Sequence, residues 1–273
     1  MYDWFATVGV LLLVVAAVCV GRWFSRLPGP YWLIGYVLPL LLIVAVETAS
    51  RIPRVGSAPP LSWLLAGRAE FVVLGLAAVV LLTTPLSRLP RRRQKVMVCI
   101  LMMCFVVYHS LLPFLEPAVL RSRLASLKTT LDSDGVCIQS RSYTCGPAAA
   151  VTALRFVGVA AEEGQLAVLS HTSRTFGTQA DLLCEAMRVC CGPTGPKCEY
   201  RYYGDLDELD DNGVTVVCVK YSWLVDHFVT VLDVQQDAIV LADPLVGRQN
   251  VPRGQFLRTW RHYGIAIRPE KSI

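Results

Sequence analysis

Four apolar runs crowd the first 115 or so residues of this 273-residue chain. They extend from Trp4 to Val20, Leu27 to Val46, Phe71 to Leu86 and Val96 to Leu115. Each approaches the roughly 20 residues that an α-helix needs to cross a bilayer. A soluble protein rarely places four such runs in succession, so residues 1–119 are expected to be a transmembrane region of about four helices. The whole chain is 54% hydrophobic and only 17% charged, against about 25% charged in ordinary soluble domains. The first run has no basic residue ahead of it, only Asp3, which favours a retained helix over a cleaved signal peptide. The third run is less regular. Leu61 to Gly67 is apolar, but Arg68 and Glu70 interrupt it, leaving either a short interfacial helix or a span that starts earlier. Trp4, Trp23, Trp32 and Trp63 stand near the ends of the runs, where interfacial aromatics belong.

The net charge is +5, but the positive residues lie beside the apolar runs rather than on a basic-aromatic patch. That pattern argues against nucleic acid as a partner and for a lipid bilayer. Arg22 and Arg26 lie in the first loop; Arg88, Arg91, Arg92, Arg93 and Lys95 lie in the third. The opposite side carries Arg51, Arg54 and Arg68, then Arg121, Arg123 and Lys128. This bias places the third loop in the cytoplasm and residues 120–273 on the non-cytoplasmic side of a multi-pass protein.

From about Leu120 short helical patterns come first and strand patterns follow. Helices are expected over Ala148–Val157, stopped by Gly158, over Glu162–Ser170, and from an N-cap at Thr178 to about Cys190. Strands are expected at Glu199–Tyr203, Val214–Lys220, Phe228–Asp233 and Ala238–Ala242, with Gln235-Gln236-Asp237 as a hairpin turn. A short helix from Gly254 to Trp260 and a strand from Tyr263 to Ile267 complete an α+β domain with an antiparallel sheet.

Chemistry concentrates in three places. Cys145-Gly146-Pro147 puts a thiol just before a helix, because proline suits the first helical turn. The positive end of a helix dipole favours a thiolate. Such a cysteine still needs a nearby base; taken alone it reads equally well as a small core residue. His227 opens an apolar strand, and Asp243 ends the next one. An antiparallel hairpin brings the start of one strand beside the end of the other. A carboxylate there orients the imidazole toward the nucleophile. Gln139, six residues ahead of Cys145, is a neutral donor for a developing oxyanion. Tyr143, Thr144 and Gly146 flank the thiol and are candidate substrate contacts, as is Arg141.

These residues resemble the bacteriocin-processing cysteine peptidases, the papain-like domains that remove double-glycine leaders in certain peptide-exporting ABC transporters. The resemblance covers about Val136 to Ile267. It rests on Gln139 ahead of Cys145-Gly146-Pro147, on Gly177-Thr178 before a helix, on His227, and on Asp243-Pro244. It implies a papain-like fold, Cys145, His227, Asp243 and Gln139 as the catalytic set, no cofactor or metal, and a leader or exposed segment of a secreted or membrane polypeptide as substrate. A separate ABC exporter is a further implied partner, since no Gly-x-x-x-x-Gly-Lys-Ser/Thr loop occurs in these residues. Two departures stand out. The domain follows membrane helices instead of leading the chain, and Asp226 precedes the histidine, where an extra carboxylate would raise the imidazole pKa. The rival reading is a catalytically silent module that binds leader peptides for another protein.

The ten cysteines leave other chemistry open. Seven lie beyond Val119, a number that fits one nucleophile and three bridges in an oxidising compartment. Cys190-Cys191-Gly-Pro-Thr-Gly-Pro-Lys-Cys198 reads as a loop that a bridge could staple, while Cys184 and Cys218 sit in apolar patterns typical of reduced core residues. No Cys-x-x-Cys pair supports a zinc site or a thiol oxidoreductase.

Overall fold

A computed structural model describes residues 2–51, 69–210, 213–222 and 225–268. The chain forms two compact units, Met1–Val119 and Leu120–Ile273.

The N-terminal unit holds α1 (Tyr2–Ser25), a 3-10 turn (Gly29–Leu33), α2 (Ile34–Arg51), α3 (Ala69–Thr83) and the start of α4 (Arg92–Ala125). Three helical stretches among the described residues are long and apolar enough to cross a membrane: Phe5–Ser25, Gly29–Ala49 and Arg92–Ala125. The fourth apolar run is the shorter α3, 15 residues long. Leu61–Gly67, with Trp63, and Arg54 and Arg68 lie outside the described residues.

Helices α1 and α2 both pack on α3, as does a wider π-type stretch of α4 at Val106–Leu111. Apolar burial gives little drive to helix association in lipid, so close backbone approach matters more. Two glycines permit that approach. A Cβ on Gly21 would fall 1.8 Å from Thr83 Oγ1, and one on Gly75 would fall 1.7 Å from Ser110 Oγ. The Thr83 hydroxyl satisfies itself within its own helix by donating to Val79 O at 2.7 Å.

The fourth run was expected to end before Glu116-Pro117, yet α4 continues through Pro117 to Ala125. Packing explains the extension. Leu124 is buried in the C-terminal unit, and Gly164 sits beneath the carbonyls of Leu124 and Leu127, where any Cβ would clash.

The C-terminal unit begins with a two-stranded ribbon of β1 (Thr130–Leu131) and β2 (Cys137–Ile138). Helices α5 (Cys145–Phe156), α6 (Glu163–Leu169) and α7 (Ala180–Cys191) follow. Then come β3 (Lys197–Tyr202), α8 (Leu206–Asp210), β4 (Thr215–Lys220), β5 (Asp226–Val234), β6 (Ala238–Asp243), β7 (Gly247–Pro252), α9 (Arg253–Thr259) and β8 (Trp260–Arg268). The sheet is antiparallel throughout, in the order β3-β8-β4-β5-β6-β7. This is the expected α+β arrangement, helices first and sheet after.

Alternation along the strands builds two cores. Val216, Cys218, Phe228, Ile265 and Ile267 share one with α5 and α7. Val217, Val229, Val231, Ile239 and Leu241 share the other with Leu206, Leu209, Phe256 and Trp260. All residues of α5 from Gly146 to Leu154 are buried, five of them glycine or alanine. Small side chains let this helix lie deep against the sheet.

Several expectations need correction. Strand β7 went unrecognised because Gly247-Arg-Gln-Asn-Val-Pro lacks apolar alternation; it is an edge strand, and edge strands tolerate polar residues. Helix α8 is too short to show a period. Gln179, not Thr178, stands at the N-cap of α7. The Thr178 hydroxyl instead shares a hydrogen bond with that of Thr172 at 2.7 Å. All ten cysteines are free, and Cys191 and Cys198 hold their sulfurs 3.6 Å apart.

Candidate active site

The loop Arg141–Thr144 leads into α5 as a tight turn. Thr144 N–H donates to Arg141 O at 3.1 Å, and Arg141 N–H donates to Thr144 Oγ1 at 3.1 Å. Thr144 is fully buried and its hydroxyl is committed to this turn. The turn delivers Cys145 as the first residue of α5, half-buried, with the free N–H groups of the helix start beside it. Tyr143 is half-buried on the approach. Gly146 is buried against Thr178 and Leu183, where a Cβ would come within 3.1 Å of Thr178 Cβ. That contact is what Thr178 does in place of capping α7.

His227 is the second residue of β5 and 6% exposed. Its Nε2 lies 2.8 Å from Asp243 Oδ1. The strands bring them together diagonally: Thr230 pairs with Ala242, one residue before Asp243 at the end of β6. The Asp243 carboxylate also accepts from Leu245 N–H at 2.8 Å and from Gln249 Nε2 at 3.1 Å. Gln249 carries no signal in the sequence because β7 carries none; Gly247, which the structure holds at φ +86°, is the one local mark of the turn.

The Cys145 thiol lies near the same imidazole and helps to raise its pKa. With Nε2 engaged by Asp243, Nδ1 is the nitrogen left for the thiol. Helix and strand are registered by a buried tether, in which Thr230 Oγ1 donates to Ala149 O at 2.8 Å. Thr230 lies three residues beyond His227, and Ala149 lies four beyond Cys145, so the tether joins helix and strand close to both side chains.

Burial disfavours a charged His227, but the hydrogen bond to Asp243 and the neighbouring Cys145 thiol outweigh it and push the imidazole up to about 9. Asp226 is not needed for that effect. Its carboxylate is taken by Arg261, whose Nε and Nη2 approach Oδ1 at 2.9 and 2.7 Å. Burial pushes the thiols of Cys137 and Cys184 up to about 12 and 11, and that of Cys218 higher still. These three are inert packing residues.

Gln139 reaches the same end of the unit by a different route. Its N–H donates to Pro244 O at 3.0 Å, which joins the start of the cysteine loop to the residue after Asp243. His227 and Asp243 thus form a hydrogen-bonded pair beside Cys145, and the Gln139 backbone is tied to its Asp243 end.

Comparison with known proteins adds an independent line. The family model described as "Peptidase C39 family" matches residues 134–272. An uncharacterized protein of Methanothermobacter thermautotrophicus is 35% identical over 132 residues, which is 48% of this chain and 87% of that protein. Another, from Methanothermobacter marburgensis, is 30% identical over 146 residues, 54% of this chain and 96% of the relative. Among solved structures, a double glycine motif protease from an AMS/PCAT transporter, in complex with the leader peptide, is 18% identical with a TM-score of 0.43. That match covers 53% of this chain and 96% of the other. The peptidase domain of Streptococcus ComA is 21% identical with a TM-score of 0.43, over 49% of this chain and 96% of that domain.

Proposed function

This chain belongs to the Peptidase C39 family, and we propose that it is a membrane-anchored cysteine endopeptidase with Cys145 as nucleophile. The observation that carries the reading is the His227 ring, held by Asp243 at 2.8 Å with the Cys145 thiol near enough to raise its pKa. In this mechanism the Cys145 sulfur attacks the scissile carbonyl from a thiolate–imidazolium pair. Gln139 donates its side-chain amide to the oxygen that gains charge. His227 passes its proton to the leaving amine as the C–N bond breaks, leaving a thioester. Water, deprotonated by His227, then attacks the thioester and releases the acid and the thiol. Asp243 fixes which ring nitrogen faces the sulfur.

The substrate class is the leader or exposed segment of a secreted or membrane polypeptide, with a double-glycine ending as the family's default. A separate ABC exporter is the partner that would receive the product. The basic third loop, Arg88 to Lys95, supports a non-cytoplasmic location for the peptidase unit.

The test is cleavage of double-glycine leader peptides by the full chain in detergent. Cleavage by the wild type and its loss in Cys145→Ala, with Cys145 the first cysteine alkylated by iodoacetamide, is the expected result. Leader binding without cleavage, and without preferred labelling of Cys145, would instead identify a silent binding module. A membrane-impermeant maleimide applied to closed cells reports the side: protection of Cys145 until lysis overturns the proposed orientation.

A further inference from the structure

A buried acid outside the catalytic set lies one residue's reach from Gln139. Glu163, the first residue of α6, is 0% exposed. Its Oε1 accepts the Ser140 N–H at 2.8 Å, and its Oε2 accepts the Ser140 hydroxyl at 2.5 Å. The Glu163 N–H donates to Thr129 Oγ1 at 2.9 Å, and the Ser140 hydroxyl also contacts Lys128 O at 3.1 Å. Burying a carboxylate is costly unless donors satisfy it, and a packed apolar side chain would fill the same space without that cost. What the carboxylate adds is capture of two donors from a single residue.

That residue is the neighbour of Gln139. The Gln139 N–H is held by Pro244 O and the next N–H, of Ser140, is held by Glu163. Two consecutive peptide groups are therefore anchored to two different elements. The Gln139 side-chain oxygen is buried with no hydrogen-bond partner, so nothing it accepts fixes the amide group. Its location depends on where its backbone is held.

We propose that Glu163 is a positioning residue for the oxyanion donor, acting on Gln139 through Ser140. The proposal rests on the assignment of Gln139 made above. Glu163 touches neither substrate nor thiol; it sets where the Gln139 amide can point.

Two probes of Cys145 on the full chain in detergent separate this role from general support. Iodoacetamide alkylates the sulfur without creating an oxyanion. A peptide aldehyde ending in Gly-glycinal adds reversibly: the S–C bond forms, the carbonyl π bond opens, and the thiol proton ends on the new oxygen. That oxygen occupies the oxyanion position. Losing an oxyanion donor outright costs about a hundredfold or more, and Gln139→Ala is expected to weaken the aldehyde to that degree. Glu163→Ala, which displaces the donor without removing it, is expected to weaken the aldehyde about tenfold and leave the alkylation rate of Cys145 unchanged. Glu163→Gln keeps an acceptor for the Ser140 N–H and is expected to restore most of the affinity. On a Gln139→Ala background, Glu163→Ala is expected to add nothing, because residues acting through one another are not additive.

Equal weakening of both probes, no change in either, or full additivity with Gln139→Ala would overturn the proposal. If Glu163→Ala does not fold, Ser140→Ala supplies the same comparison, since it removes one of the two donors and keeps the backbone. Failure of the wild type to react with either probe at Cys145 defeats the peptidase reading itself, and this proposal with it.

Discussion

In the N-terminal unit many large apolar side chains face outward. Phe5, Leu12 and Leu41 are 70%, 67% and 61% exposed, while Gly21, Thr83, Gly75 and Ser110 meet inside. The C-terminal unit is built the other way round. Trp260, Phe256, Leu154 and Ile265 are fully buried, and His227, Glu163 and Thr230 are buried polar residues that each hydrogen-bond. One unit is assembled for a solvent that is itself apolar and must cohere through close backbone contact. The other excludes water from large side chains and can then hold a few polar groups at fixed distances. The candidate site lies in the second kind of interior, where a hydrogen bond gains strength from low polarity.

The sharpest way to break that contrast is to unpair one buried polar group. Asp243→Asn is expected to lower turnover of a leader peptide by roughly 10⁴-fold, the scale seen when a histidine loses its orienting carboxylate. It should also lower the His227 value from about 9. In the wild type, cleavage is expected to fall as pH rises through about 9, because the imidazolium that protonates the leaving amine is lost. Stability carries the same sign. The folded value lies above the ordinary 6.5, so the His227 contribution is complete below about 6.5 and disappears as pH rises through about 9. Denaturant midpoints measured across that interval should fall with pH in the wild type and stay flatter in Asp243→Asn.

The next largest effect tests the water-excluding core. Trp260→Ala is expected to cost about 3–5 kcal/mol in unfolding of the C-terminal unit. Leu12→Ala, on an outward face of α1, should leave that unfolding transition where it is. Equal losses from the two substitutions would erase the distinction between the interiors.

A smaller effect is expected where the membrane helices meet. Gly75→Leu forces a side chain into Ser110 and should destabilise the helix packing by about 1–3 kcal/mol. Thermal melting in detergent measures it, and Gly9→Leu, where a Cβ meets no neighbour within 4 Å, is the matched control.

How much could be read in advance differs between elements for physical reasons. The apolar runs gave away α1, α2 and α4 because a bilayer demands length and hydrophobicity, both of which are one-dimensional. The helices α5 and α6 and the strands β4, β5 and β6 were legible from period and from Gly158 and the Gln235–Asp237 turn. Strand β7 was not, because an edge strand needs no apolar pattern. Gln249 disappeared with it. The tether from Thr230 to Ala149 and the Glu163–Ser140 contact were also invisible, since each joins residues far apart in the chain through groups that have no periodicity.

Taken alone, the sequence determined the fold class, the membrane helices, and the order of Gln139, Cys145, His227 and Asp243. Local chemistry does that: hydropathy, proline at a helix start, and a strand–turn–strand pattern act over a few residues. Only the tertiary structure decided which residues stand beside them. It turned Thr178 from an expected cap into a wall for Gly146, gave Asp226 to Arg261, and brought Glu163 to Ser140, the neighbour of Gln139. Those outcomes depend on which buried donors and acceptors find each other once the sheet and helices close, and that accounting is three-dimensional.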